Sequence, residues 1–128
     1  MTTYDRIDPS DAPAPQGGYT QALAVAGASR LLFVSGQIPE TPDGQVPEGF
    51  EAQCRLVWAN VLAALRAAGM DVPNLVKVTT YLSDRAHAGT NGAVRREVLG
   101  DHRPALTVVV AGIFDPRWLL EIEAVAAA

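Results

Sequence analysis

The chain has 128 residues, 48% of them hydrophobic and 19% charged, with a formal net charge of −4; this suits one compact domain spanning residues 1–128, with a real core and no second unit. Ten Lys and Arg stand against fourteen Asp and Glu, without a basic stripe, so there is little to neutralise a run of phosphates and nucleic acid is not an expected partner. The single Cys54 closes no intrachain disulfide, no CxxC or Cys/His cluster offers a zinc site, no apolar run reaches membrane-spanning length, and the charged start (Asp5, Arg6, Asp8) does not read as a secretory signal; a cytoplasmic protein free of membrane is expected.

Residues 1–18 carry Pro9, Pro13, Pro15, Gly17 and Gly18 and read as an extended, turn-rich entry, with order beginning near Tyr19. Tyr19 to Val25 and Leu31 to Gln37 read as two strands joined in a hairpin by Ala26-Gly27-Ala28-Ser29. Leu31-Leu32-Phe33-Val34 is apolar on both faces and asks for cover on both. After a Pro/Gly loop, Phe50, Cys54, Val57, Val61, Leu65 and Ala68 recur at helical spacing, with Gly69 placed for a left-handed cap and Pro73 beyond it.

Leu75 to Leu82 reads as a strand, with Lys77 and Thr79 on one face and Val76, Val78 and Thr80 on the other. Asp84 is placed to cap a second helix from about Arg85 to Leu99, ended by Gly100; within it the Arg95-Arg96 pair reads as a solvated face. Two strands close the chain, Pro104 to Val110 and Leu119 to Ala126. In the second, Glu121, Glu123 and Val125 share one face and Leu120, Ile122 and Ala124 the other. Carboxylates on an otherwise apolar strand call for water, a polar cleft or a partner subunit beside them.

The order β-β-α-β-α-β-β predicts an α+β sheet with two helices on one face. The other face has no cover within the chain, so association of copies through the sheet is expected.

Gly17-Gly18-Tyr19-Thr20-Gln21-Ala22, Ser35-Gly36-Gln37-Ile38-Pro39, Ala52-Gln53, Asn60, Ala67-Ala68-Gly69, Val76-Lys77-Val78-Thr79, Asn91, Pro104-Ala105 and Glu121-Ile122-Glu123-Ala124 follow one another in an order and spacing that resemble the RidA/YjgF/YER057c/UK114 family (endoribonuclease L-PSP-like) over nearly the whole chain. The resemblance implies a chorismate-mutase-like fold, a homotrimer with a central barrel, small-molecule clefts between subunits, hydrolysis of reactive enamines and imines, and no metal or organic cofactor.

In deaminating relatives the Pro-Ala pair is followed by an arginine that forks onto the substrate carboxylate; here that residue is Leu106, and the cysteine that many relatives carry two residues on is Val108. Charge-assisted hydrogen bonds of that kind are worth about 1.5 to 3 kcal/mol each, so arginine-dependent activity on 2-aminoacrylate is expected to be weak or absent. Arg103 lies three residues along and points to the other face; Arg117, on the loop before the last strand, is the better reserve.

By the resemblance, Glu121 matches the carboxylate that orients the hydrolytic water and Tyr19 the tyrosine that lines the site. Ser35 and Gly36 match a backbone segment beside it. Asn91 either contacts ligand or ties down a helix, while Thr107 and Trp118 fall at the cleft, Trp118 as packing at its rim. Three readings follow. The chain is a divergent enamine/imine hydrolase whose substrate lacks the usual carboxylate anchor, a non-catalytic trimer that binds a small molecule, or an endoribonuclease, which the acidic balance disfavours.

Overall fold

The computed structural model describes residues 1–128. Six strands and two helices run in the order β1 (Thr3–Ile7), β2 (Ala22–Ala26), β3 (Leu31–Gln37), α1 (Phe50–Ala67), β4 (Leu75–Leu82), α2 (Ala88–Leu99), β5 (Ala105–Val110) and β6 (Leu120–Ala127). The main sheet is ordered β3-β6-β4-β5, and β1 and β2 form a separate antiparallel ribbon. This is the expected α+β architecture, with two differences at its start.

The first difference is β1. Residues 3–7 are a strand paired to β2, Thr3 opposite Ala26 and Ile7 opposite Ala22, although the prolines that follow had suggested an irregular entry. The prolines all lie beyond Ile7, in the crossing between the two strands, where no ladder donor is needed. The ribbon is held to the sheet by Tyr4, whose hydroxyl donates to Ala127 O at 2.6 Å and accepts from Asn74 Nδ2 at 3.3 Å.

The second difference is that β2 and β3 are consecutive but not a hairpin. β3 pairs with β6 and β2 with β1, because the apolar side of β3 is buried beside Ala124 and Ala126, far along the chain. Gly27, at φ 75° between them, turns the chain out of one layer into the other.

Helix α1 lies on the sheet through a stripe of fully buried residues, Cys54, Val57, Trp58, Val61 and Leu65. Its end is a Schellman motif: Gly69 N–H donates to Arg66 O, Met70 N–H to Leu65 O, and Gly69 takes φ +72°. Asp84 caps a short 3₁₀ turn over Arg85–His87 by accepting from Ala86 N at 2.8 Å, and that turn runs directly into α2. Phe50 stacks on His87 with ring centroids 4.3 Å apart, joining the starts of the two helices.

The core lies between α1 and one face of the sheet, where Val34, Leu75, Val78, Leu82, Leu120, Ile122, Ala124 and Ala126 meet the helix stripe. The alternation in β6 is as the sequence predicts. In β4 it holds from Val78 onward, but a register shift between Leu75 and Lys77 brings Leu75 into the core and leaves Val76 half-buried.

The opposite sheet face is bare, with Leu31 63% and Phe33 72% exposed. Strand β5 is an edge strand whose Val108, Val109 and Val110 are all exposed, so both of its faces and most of its free edge lack cover. No helix is long and apolar enough to cross a membrane.

Candidate functional site

The bare sheet face carries a polar row. Register aligns Thr107, Thr79 and Glu123 across β5, β4 and β6, with Tyr81 opposite Glu121 one step further on. Tyr81 Oη donates to Glu123 Oε1 at 2.8 Å, and Lys77 Nζ donates to Thr107 Oγ1 at 2.7 Å. That contact with the Glu123 carboxylate holds the Tyr81 phenol above its ordinary pKa. Phe33, Ser35, Lys77, Thr79, Glu123 and Val125 line a shallow groove of ≈ 320 Å³ along this row.

Glu121 sits at the end of the row, half-buried. Its carboxylate lies across the backbone of Gly36: a Cβ at residue 36 would stand 1.9 Å from Oε2 and 2.8 Å from Cδ. The contact exists because β3 breaks register between Val34 and Gln37, which swings Gly36 beneath the β6 side chain. The glycine of this Ser-Gly word is therefore a steric requirement, and any larger residue at 36 collides with the carboxylate. Glu123 is engaged by Tyr81, whereas Glu121 forms no ion pair or hydrogen bond in the chain.

The other sequence-predicted residues fall elsewhere. Leu106 is level with Val78 and packs against the core, on the helix side of the sheet and so on the face opposite Glu121. Tyr19 is half-buried before β2, its hydroxyl accepting from Gln16 N at 3.1 Å, which leaves the phenolic proton free to donate. The neighbouring Thr20 pairs with Ala105 and donates its N–H to Pro104 O, so Tyr19 runs beside the start of β5.

Asn91 is buried between the helices, its Oδ1 4.0 Å from Cys54 Sγ; in the single chain it ties α2 to α1. Burial pushes the Cys54 thiol up to about 11. One chain thus places Ser35, Gly36, Thr107 and Glu121 on the open face and Tyr19, Asn91 and Leu106 at the helix side and β5 edge.

Neither reserve arginine is free. Arg117 is committed to Asp115, with Nη2–Oδ2 at 2.9 Å and Nε–Oδ1 at 3.2 Å, and the pairing holds the Asp115 carboxyl below its usual range. Arg103 Nη1 donates to Gly100 O at 2.8 Å and caps the end of α2. Trp118 is half-buried on the loop before β6, with its indole nitrogen enclosed and unpartnered.

A profile of the Endoribonuclease L-PSP family matches residues 9–128. The chain belongs to this RidA/YjgF family. It is 37% identical over 118 residues to a RutC family protein of Pyrococcus horikoshii, covering 91% of each chain. It is 35% identical over 122 residues to a Rattus norvegicus protein named 2-iminobutanoate/2-iminopropanoate deaminase, covering 94% of this chain and 87% of that one. The solved structure of YyfB, a Rid family protein of Yersinia pestis, superposes with a TM-score of 0.86 at 24% identity over 98% of both chains, a likeness of fold.

One residue of this RidA-family chain does not lie where its sequence pattern places it. Arg95, expected on a solvated face, is only 7% exposed, with its Nε buried and unpartnered. Burial, with Arg96 beside it, lowers the Arg95 pKa from the ordinary arginine value, while Tyr19 and Cys54 act in the opposite direction. The signal was in the helical spacing, since Asn91 and Arg95 are four residues apart and share a face.

Proposed function

We propose that the protein is a homotrimer whose clefts lie between subunits and hydrolyse a carbon–nitrogen double bond, with Glu121 as the general base. The observation that carries this reading is the Glu121 carboxylate, pinned over Gly36 on an uncovered sheet face with no partner of its own. The split of the site residues between opposite faces of one sheet supports the assembly: an exposed apolar β5 edge and an exposed Phe33 face are complementary needs that a second copy meets.

In the reaction, Glu121 takes a proton from water as the oxygen adds to the imine carbon and the nitrogen gains a proton. Collapse of the carbinolamine expels ammonia and leaves a carbonyl. An enamine enters the same path after tautomerising to the imine. A carboxylate base in hydrogen-bond reach of the water contributes about 10²- to 10⁴-fold, and Tyr19 supplies a phenolic donor to the substrate.

Leu106 stands where deaminating relatives place the clamping arginine, so the substrate lacks the usual carboxylate anchor there and meets an apolar wall instead. The test is ammonia and oxoacid release from enamines generated in situ by an amino-acid deaminase, with Leu106→Arg alongside. Wild type is expected to be slow on 2-aminoacrylate, and Leu106→Arg faster. Wild-type turnover equal to that of an arginine-bearing relative would refute the role given to Leu106.

The absence of both the arginine and the cysteine supports a second reading, a trimer that binds a small apolar metabolite without consuming it. A compound that raises the melting temperature and is recovered unchanged would favour it. The net charge of −4 argues against an RNA substrate.

A further inference from the structure

Outside the Glu121 site, the fold buries one charged group without giving it a partner. Arg95 lies in the helix layer, and neither it nor Arg96 forms an ion pair. Acids are present on the same two helices, but Arg55 takes both, pairing with Glu51 along α1 and with Glu97 across to α2. The Arg95 and Arg96 guanidinium groups are left beside each other without an acid.

They converge on two glycines. From the point a Cβ on Gly92 would occupy, Arg96 Nη1 is 3.1 Å away and Arg95 Nη2 3.8 Å; from the same point on Gly18, Arg96 Cγ is 3.1 Å away and Arg95 Nε 3.8 Å. Arg96, although exposed, folds back over Gly92 rather than extending into solvent. A glycine inside α2 costs helix stability, and here its bare backbone leaves room for both guanidinium tips. Two like charges held this close, one of them desolvated, repel each other unless an anion sits between them.

We infer that Arg95 and Arg96, in the space left by the missing side chains of Gly18 and Gly92, form a binding site for a small oxyanion, a carboxylate or a phosphate group. Planar guanidinium forks match both geometries. In the single chain the site lies on the helix side of the sheet, away from Glu121, and Tyr19 is its aromatic neighbour. It does not depend on the imine-hydrolase reading: an anion can bind here whether or not Glu121 turns anything over.

The test is thermal unfolding of the full-length protein at constant ionic strength, replacing sodium chloride by sodium acetate or by sodium phosphate, for wild type, Arg95→Met and Arg96→Gln. Wild type is expected to gain about 3 °C or more in one of the two oxyanions, and which one identifies the ligand class. Arg95→Met should lose that gain and melt higher than wild type in chloride, because a buried unpaired charge has been removed. Arg96→Gln should bind roughly tenfold more weakly, as expected when one charge-assisted contact is lost.

As a readout independent of any variant's folding, the Arg95 Nε–H resonance of ¹⁵N-labelled wild type should shift saturably with the preferred anion. A wild-type melting temperature indifferent to both anions, an equal gain in Arg95→Met, or an Nε–H signal that does not move would each overturn the inference. Loss of turnover in Glu121→Gln with the anion response intact would separate the two proposals.

Discussion

Adding one methyl group at Gly36 is expected to cost this protein its chemistry and little of its stability. A Cβ there would stand 1.9 Å from Glu121 Oε2 and 3.1 Å from Cγ, well inside contact distance, so the carboxylate must retreat by more than about 1 Å. The obstacle is the far end of a flexible side chain, which places the folding penalty at the low end of the overpacking range, about 1 kcal/mol. For catalysis the same displacement matters more. A misplacement of about 1 Å is worth roughly 10²-fold in rate, or about 2.7 kcal/mol of transition-state stabilisation.

Gly36→Ala should therefore approach the rate of Glu121→Gln while melting within a few degrees of wild type. The assay is ammonia release from a panel of enzymatically generated imines, run beside a thermal melt. Full turnover in Gly36→Ala with loss in Glu121→Gln would show that the carboxylate does not need the position the glycine gives it. Full turnover in both variants would remove Glu121 from the mechanism.

Phe33→Asp, at a residue 72% exposed in the single chain, should leave circular dichroism unchanged and shift the mass seen by light scattering from trimer to monomer; a monomeric wild type would refute the assembly. Cys54, with its thiol pushed up to about 11 by burial, should react with a disulfide reagent at pH 8 roughly 100-fold more slowly than an exposed cysteine, and fully once unfolded. Arg55 holds the Glu97 carboxyl below its usual range, and Arg117 does the same to Asp115. A depressed folded-state pKa gives stability that is present above the unfolded carboxylate value and is lost as pH falls through the folded one. The melting temperature of Arg55→Gln should accordingly fall less steeply than that of wild type below about pH 4, and high salt should shrink the difference because both partners are exposed.

Local order was legible wherever a few neighbouring residues decide it. The α1 stripe, its Gly69 cap, the Asp84 start before α2 and the two faces of β6 all follow from periodicity and end chemistry that act within about ten residues. Through the resemblance, the motif words set Ser35 and Gly36 beside the position of Glu121, and the Gly36 backbone lies against that carboxylate. What they did not convey was why residue 36 is glycine, a matter of one register shift opposite a carboxylate 85 positions away.

By itself the sequence determined the α+β class, the elements from β3 onward, the apolar face of the sheet that α1 covers, and the expectation that the other face lies bare. Tertiary structure alone decided that residues 3–7 pair with β2, that β3 joins β6, that Leu106 and Glu121 lie on opposite sides of one sheet, and that Arg95 is enclosed without an acid. The physical reason is the range of the interactions. Helix periodicity and caps are settled within a turn or two of chain, whereas strand partners, the face an edge residue joins and the burial of a charge are settled by groups far apart in sequence, through hydrogen bonds and desolvation that exist only after the layers have met.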